Sequence, residues 1–157
     1  MPNQTLPPIS DVLLHSGNMR LLDRAVCFDA ESALAEYTPN ADAWYADSEG
    51  NMPAWIGIEL MAQAISLHAG LLKQGDSTPP KHGALLGTRS YTASTSAFSA
   101  DMPLMILVKL AYRDTSGLGA YDCIIYASPN HDNILAKASL KVFEPDNFQQ
   151  FLQDHST

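Results

Sequence analysis

From Pro53 to Gln74 the chain reads PAWIGIELMAQAISLHAGLLKQ, with apolar side chains on nearly every side of a 3.6-residue period. A surface helix carries a polar face opposite its apolar stripe. Here Trp55, Ile56, Ile58, Leu60, Met61, Ala62, Ala64, Ile65, Leu67, Ala69, Leu71 and Leu72 leave no such face. The pattern predicts a helix over 53–74 enclosed by the rest of the fold. One carboxylate, Glu59, stands near its start. At about 100° per residue, Gln63 and Ser66 share the Glu59 side of the helix and His68 faces the opposite way.

The remaining segments alternate in the manner of strands. MRLLDRAVCF (19–28) and ESALAEYT (31–38) are predicted strands separated by a turn at Asp29, after a short helical turn over 6–14. PNADAWYADSEGN (39–51) carries the Pro, Asn, Asp and Gly of an irregular loop, with Trp44 and Tyr45 tucked against something apolar. Beyond the breaker GDSTPPKHG three or four strand-like runs are expected, within ALLGTRSYTAS, MPLMILVKLAYRD, GAYDCIIYASP and NILAKASLKVFEP. SGLG and PNHDN are hairpin links, and DNFQQFLQ (146–153), with Asp146 near its start, is a predicted terminal helix. A long buried helix among antiparallel strands predicts an α+β architecture in which the sheet wraps around the helix.

Length and charge narrow the function. The 157 residues fit one domain over 1–157 with a sizeable core. MPNQTLPPIS lacks the basic and apolar blocks of a signal peptide, and Glu59, Gln63 and His68 argue against a membrane span, so a cytoplasmic protein is expected. A net charge of −8 disfavours nonspecific nucleic-acid binding. Cys27 and Cys123 have no metal-ligand spacing and are expected to be buried free thiols, and no cofactor or metal is expected.

The segment MPAWIGIELMAQA resembles the helix-start motif of the β-hydroxyacyl-acyl carrier protein dehydratases, in which Met-Pro-Gly and an apolar run lead to Glu and then Ala-Gln. Met52, Pro53, Glu59, Ala62 and Gln63 match in register. LLHSGNMRLLDR resembles the same family's first strand, with His15 placed eight residues before Asp23-Arg24. The resemblance implies a hotdog subunit that eliminates water from a 3-hydroxyacyl thioester. It implies Glu59 as a catalytic residue, and the backbone amide at Ala54, where the family has Gly, as donor to the thioester carbonyl. The family's second catalytic residue, a loop His fourteen residues before the Glu, is Tyr45 here.

Dehydration needs a base for the α-proton, an acid for the departing hydroxyl and donors for the enolate-like oxygen. Glu59 suits the acid, because carboxyl groups in apolar surroundings hold their proton more tightly. His15 is the first candidate for the base, with a structural cap as its alternative role, while Tyr45 offers a hydrogen bond. The amides of Ala54 and Trp55, at a helix N-terminus, are candidate donors to substrate, and Gln63 a further contact. For Met61 and Ile65 a plain core role is favoured over lining an acyl tunnel. His68 is expected to point away from Glu59, and His82, His131 and His155 fall in breaker, turn and tail segments. Two alternatives stand beside the dehydratase: a hotdog acyl thioesterase, and a catalytically degenerate acyl-binding or partner subunit.

The expected partners are an acyl carrier protein or coenzyme A thioester and a second copy of the chain, giving a homodimer or larger assembly. An acidic carrier docking on a chain of net charge −8 requires a local basic patch, for which Arg20, Arg24, Lys81, Arg89 and Arg113 are available.

Overall fold

The computed structural model describes residues 6–12, 19–73, 84–127 and 133–143. A 3-10 turn, Ile9–Asp11, precedes strands β1 (Arg24–Phe28) and β2 (Ser32–Tyr37). A two-residue strand, β3 (Met52–Pro53), leads into the helix α1 (Ile56–Lys73). Strands β4 (Ala84–Ala93), β5 (Ala97–Phe98), β6 (Leu104–Arg113), β7 (Leu118–Ala127) and β8 (Ile134–Phe143) follow. Six of them form one antiparallel sheet in the order β1-β2-β6-β7-β8-β4, and β3 pairs with β5 in a separate ribbon. The fold is α+β of the hotdog type, with α1 lying across β2, β6 and β7.

Strand parity explains how the helix is held. Successive side chains of a strand alternate faces, and the cross-strand register lines up buried rows such as Ala35, Ile106, Ile125 and Ala136, and Ala33, Val108, Cys123 and Ala138. Alanines at the flanks of these rows leave room for the larger Leu60, Met61 and Leu67 of the helix, all fully buried. The opposite parity carries the exposed Lys109, Asp122, Lys137 and Lys141. Two glycines answer to packing on the helix. A Cβ on Gly70 would lie 2.5 Å from Val12 Cγ1, where the N-terminal turn crosses α1, and one on Gly57 would lie 2.3 Å from the Tyr91 hydroxyl.

Boundaries differ from the sequence expectation where tertiary contacts intervene. The first strand starts at Arg24 rather than Met19, because the backbone of Leu21 and Leu22 is bound by a helix side chain rather than by a neighbouring strand. Strands β3 and β5, at two residues each, are too short to carry a period and were not anticipated. In the β6–β7 hairpin Asp114 Oδ1 accepts from the amides of Ser116 and Leu118, and Gly117 takes φ 99°. The terminal helix at 146–153, most of the PNHDN link and the breaker at 75–83 lie outside the described residues.

Candidate functional site

Strand β3 delivers the chain to the start of α1, and Tyr91 from β4 fastens that corner. Its hydroxyl donates to the Ala54 carbonyl, which also accepts from the Gly57 amide at 2.9 Å. Burial pushes the Tyr91 phenol up to about 12, so it remains a donor throughout the physiological range. Tyr91 was not singled out from the sequence, since strand parity alone does not distinguish an inward tyrosine that packs from one that pins a turn.

Glu59 lies in the first turn of α1 and is half-buried. Its Oε1 accepts from Gln63 Nε2 at 3.1 Å, one helical turn further on. Gln63 is fully buried, and its other bonds reach the chain ahead of β1: Oε1 accepts from Leu21 at 2.8 Å, and Nε2 donates to the Met19 carbonyl at 2.6 Å. The sequence expectation for Gln63 is a substrate contact; here both ends of its amide meet protein partners. Its amide is spent on the fold and on Glu59.

The amides at the helix start divide in a way the sequence did not show. Ala54 N–H, expected from the sequence to serve a thioester oxygen, donates here to the Ser96 carbonyl at 3.0 Å, extending the β3–β5 ribbon. Among the described residues the Trp55 amide meets no acceptor. The Trp55 side chain is 64% exposed.

Tyr45 is buried, and its hydroxyl lies 2.5 Å from that of Tyr37 and accepts from the Asn40 amide at 2.8 Å. Burial and this contact push the Tyr37 phenol far above its ordinary value. Tyr45 borders a cleft of about 510 Å³ with Arg20, Tyr37, Asn40, Asp42 and Trp44; Glu59 is not on its wall. His15 lies outside the described residues, as do His82, His131, His155 and Lys81, and the side chain of Arg89 is likewise not described.

His68 does face away from Glu59, into a polar chain of its own. Its Nδ1 lies 2.8 Å from the Tyr121 hydroxyl and its Nε2 3.0 Å from the Asp29 carbonyl, while Arg113 Nη2 donates to Tyr121 at 3.0 Å. A carbonyl only accepts, so Nε2 carries the proton and Nδ1 accepts from Tyr121. Burial holds the imidazole below its ordinary value, and the nearby Arg113 charge adds to this. Of the basic residues offered for a partner, Arg113 donates to Tyr121 and Arg24 pairs with Glu36 at 3.2 Å. Cys123 is buried, with its thiol pushed up to about 12, whereas Cys27 is only half-buried, against the expectation of two enclosed thiols. No metal-ligand cluster occurs among the described residues, and no helix there is long and apolar enough to cross a membrane.

A family model described as ApeP-like, ApeP dehydratase, matches residues 7–153. The chain belongs to the ApeP-like dehydratase family. It is a dehydratase-like lyase, in agreement with the motifs around Glu59. This ApeP-like chain is also similar to the dehydratase heterocomplex ApeI:P from Xenorhabdus doucetiae, with TM-score 0.86 and 22% identity over 97% of this chain and 100% of that one. More distant hotdog structures include a hypothetical thioesterase with coenzyme A from Streptococcus pneumoniae, with TM-score 0.61 and 15% identity over 77% of this chain and 84% of that one. The E. coli PaaI protein from the phenylacetic acid degradation operon follows, with TM-score 0.57 and 13% identity over 76% and 81%. A comparison with curated protein sequences finds no match.

Proposed function

We propose that this ApeP-like chain is a cytoplasmic hotdog subunit that dehydrates 3-hydroxyacyl thioesters, carried by an acyl carrier protein or coenzyme A, to trans-2-enoyl thioesters in fatty-acid or aryl-polyene type polyketide synthesis. The observation that carries this reading is the half-buried Glu59 carboxyl, which accepts at one oxygen from the fully buried Gln63. The α-proton leaves C2 to a base, the C2–C3 double bond forms, and the C3 hydroxyl departs as water with a proton from Glu59. The Trp55 amide, at the positive end of α1 and without an acceptor among the described residues, is the proposed donor to the negative charge that grows on the thioester oxygen. His15 is the proposed base.

We further propose that the active unit contains at least two hotdog subunits. Strand β4 ends the described sheet with ten residues, and Trp44 and Trp55 are 55% and 64% exposed, an arrangement suited to burial against a partner. A second copy is the simplest partner. A different hotdog subunit is the second reading, favoured by the likeness to a heterocomplex and by Tyr45, which leaves the loop before α1 without a histidine.

The decisive assay follows the enoyl absorbance of 2-enoyl and 3-hydroxyacyl thioesters, together with free-thiol release. Interconversion without thiol release is expected, lost by about 10²–10⁴-fold in Glu59→Gln. Thiol release at comparable rate identifies a thioesterase. No turnover, even with a histidine-bearing hotdog partner added, identifies an acyl-binding subunit. Unchanged turnover in His15→Ala removes His15 from the mechanism. Native mass spectrometry of the chain alone and with that partner separates the two assemblies.

A further inference from the structure

The loop ahead of α1 closes over a pair of phenols. Tyr37 and Tyr45 are 7% and 6% exposed, and their hydroxyls bond each other at 2.5 Å. Two hydroxyls carry two hydrogens, and one of these serves the mutual bond whichever ring donates it. The remaining contact of the pair, from the Asn40 amide to Tyr45 at 2.8 Å, brings a hydrogen rather than taking one. One phenolic hydrogen is therefore left without an acceptor among the described residues, at a depth where an unmet donor is costly. Burial holds the Tyr37 phenol in its protonated form near neutral pH. Both rings line the cleft of about 510 Å³, and so does Arg20, which is half-buried and has no ion pair or hydrogen bond among the described residues. The wall is held in shape by its own bonds, since Asn40 Oδ1 accepts from the Asp42 amide at 2.8 Å and the Asn40 carbonyl from the Ala43 amide at 3.1 Å.

We propose that this cleft binds an organic oxyanion, a carboxylate or a phosphate ester, which accepts the left-over hydrogen of the Tyr37–Tyr45 pair and faces the Arg20 guanidinium. A donor hydrogen and a positive charge on one concave wall both suit a group that accepts and brings no hydrogen of its own. A bound water would satisfy the phenol but leave the Arg20 charge unmatched. The cleft is larger than a bare ion needs, and the 55% exposed Trp44 at its border offers a ring face to the organic part of the ligand. Asp42 borders the same cleft and works against an anion, so the two side-chain charges there carry opposite expected signs. Two sources share this chemistry: the phosphodiester of the arm that carries a thioester, and a separate organic acid. Glu59 is not on this wall and binding is read without turnover, so the site stands apart from the dehydratase reading.

Titration calorimetry of the whole chain at low salt tests this, with coenzyme A, pantetheine, benzoate and inorganic phosphate as probes. Binding of coenzyme A at a Kd below about 1 mM, with pantetheine failing to bind, identifies the carrier arm as the source; binding of benzoate identifies a separate acid. In either case Arg20→Gln is expected to weaken the probe about tenfold or more, and Asp42→Asn to strengthen it about two- to threefold, an effect that fades as salt is added. The phenols make a sharper prediction. Tyr37→Phe leaves one hydroxyl, whose hydrogen then has no internal acceptor and stays available, so affinity is expected within about threefold of the parent. Tyr37→Phe/Tyr45→Phe removes both hydrogens and is expected to cost about tenfold or more. Arg20→Gln, at a half-buried position, supplies the result if that double variant does not fold. Failure of both coenzyme A and benzoate to bind below about 1 mM overturns the proposal, as does affinity within about twofold of the parent in Arg20→Gln. A loss in Tyr37→Phe as large as in the double variant assigns the pair to packing and likewise overturns it. Binding of inorganic phosphate without either organic probe means an adventitious ion only, and pantetheine binding as tightly as coenzyme A while benzoate fails removes the oxyanion as the recognised group. A chain that binds with these dependences yet shows no turnover keeps the site and loses the dehydratase reading.

Discussion

Gly57→Ala sets two effects against each other. Alanine favours a helix over glycine by about 1 kcal/mol in an exposed interior. The added Cβ, however, would sit 2.3 Å from the Tyr91 hydroxyl, 3.2 Å from Tyr91 Cζ and 3.2 Å from Ile125 Cδ1. Because Ile125 is fully buried, the space cannot open on that side without moving the sheet. Tyr91 must therefore swing away and give up its bond to the Ala54 carbonyl, which keeps its second partner in the Gly57 amide. Overpacking of a filled core costs about 1–3 kcal/mol, and a lost neutral hydrogen bond adds about 1 kcal/mol. Net of the helix gain, the variant should lose about 1–3 kcal/mol, a Tm decrease of roughly 2–10 °C for a chain of this size. Urea unfolding at fixed protein concentration measures it, because an assembly makes stability depend on concentration. Tyr91→Phe removes the nearest atom, so the double variant Gly57→Ala/Tyr91→Phe should lose less than the sum of the singles. Equal or higher stability of Gly57→Ala would refute the steric reasoning and show that the corner yields freely.

Other outcomes follow from the buried polar chain and the thiols. Tyr121→Phe leaves His68 Nδ1 without its donor and Arg113 without its acceptor, and should cost about 1–3 kcal/mol in urea unfolding. His68 is held neutral in the fold below its ordinary value, so below about pH 6.5 the unfolded chain binds the extra proton first. Stability should then be flat above that pH and fall as the pH drops through it, with a shallower fall in His68→Gln. Of the two cysteines, Cys123 should resist alkylation in the native protein while Cys27 reacts slowly, and both should react after denaturation. Breaking the exposed Arg24–Glu36 pair with Glu36→Ala should change stability by less than about 1 kcal/mol.

The helix and most of the strands were legible in the order of residues, because burial imposes periods of 3.6 and 2 that a linear pattern retains. The start of α1 also carried its motif, since Met52, Pro53, Glu59 and Gln63 fall within one and a half turns of each other or of the helix entry. What Gln63 does was not legible. Its partners Met19, Leu21 and Leu22 lie 41 to 44 residues away, and only folding brings them to it. The same holds for Tyr91, 37 residues from the carbonyl it pins, and for Ser96, whose carbonyl takes the Ala54 amide and leaves that of Trp55 at the helix start. Local pattern determined which groups this chain brings to the site; long-range hydrogen bonds, which carry no period along the chain, decided which of those groups are already occupied.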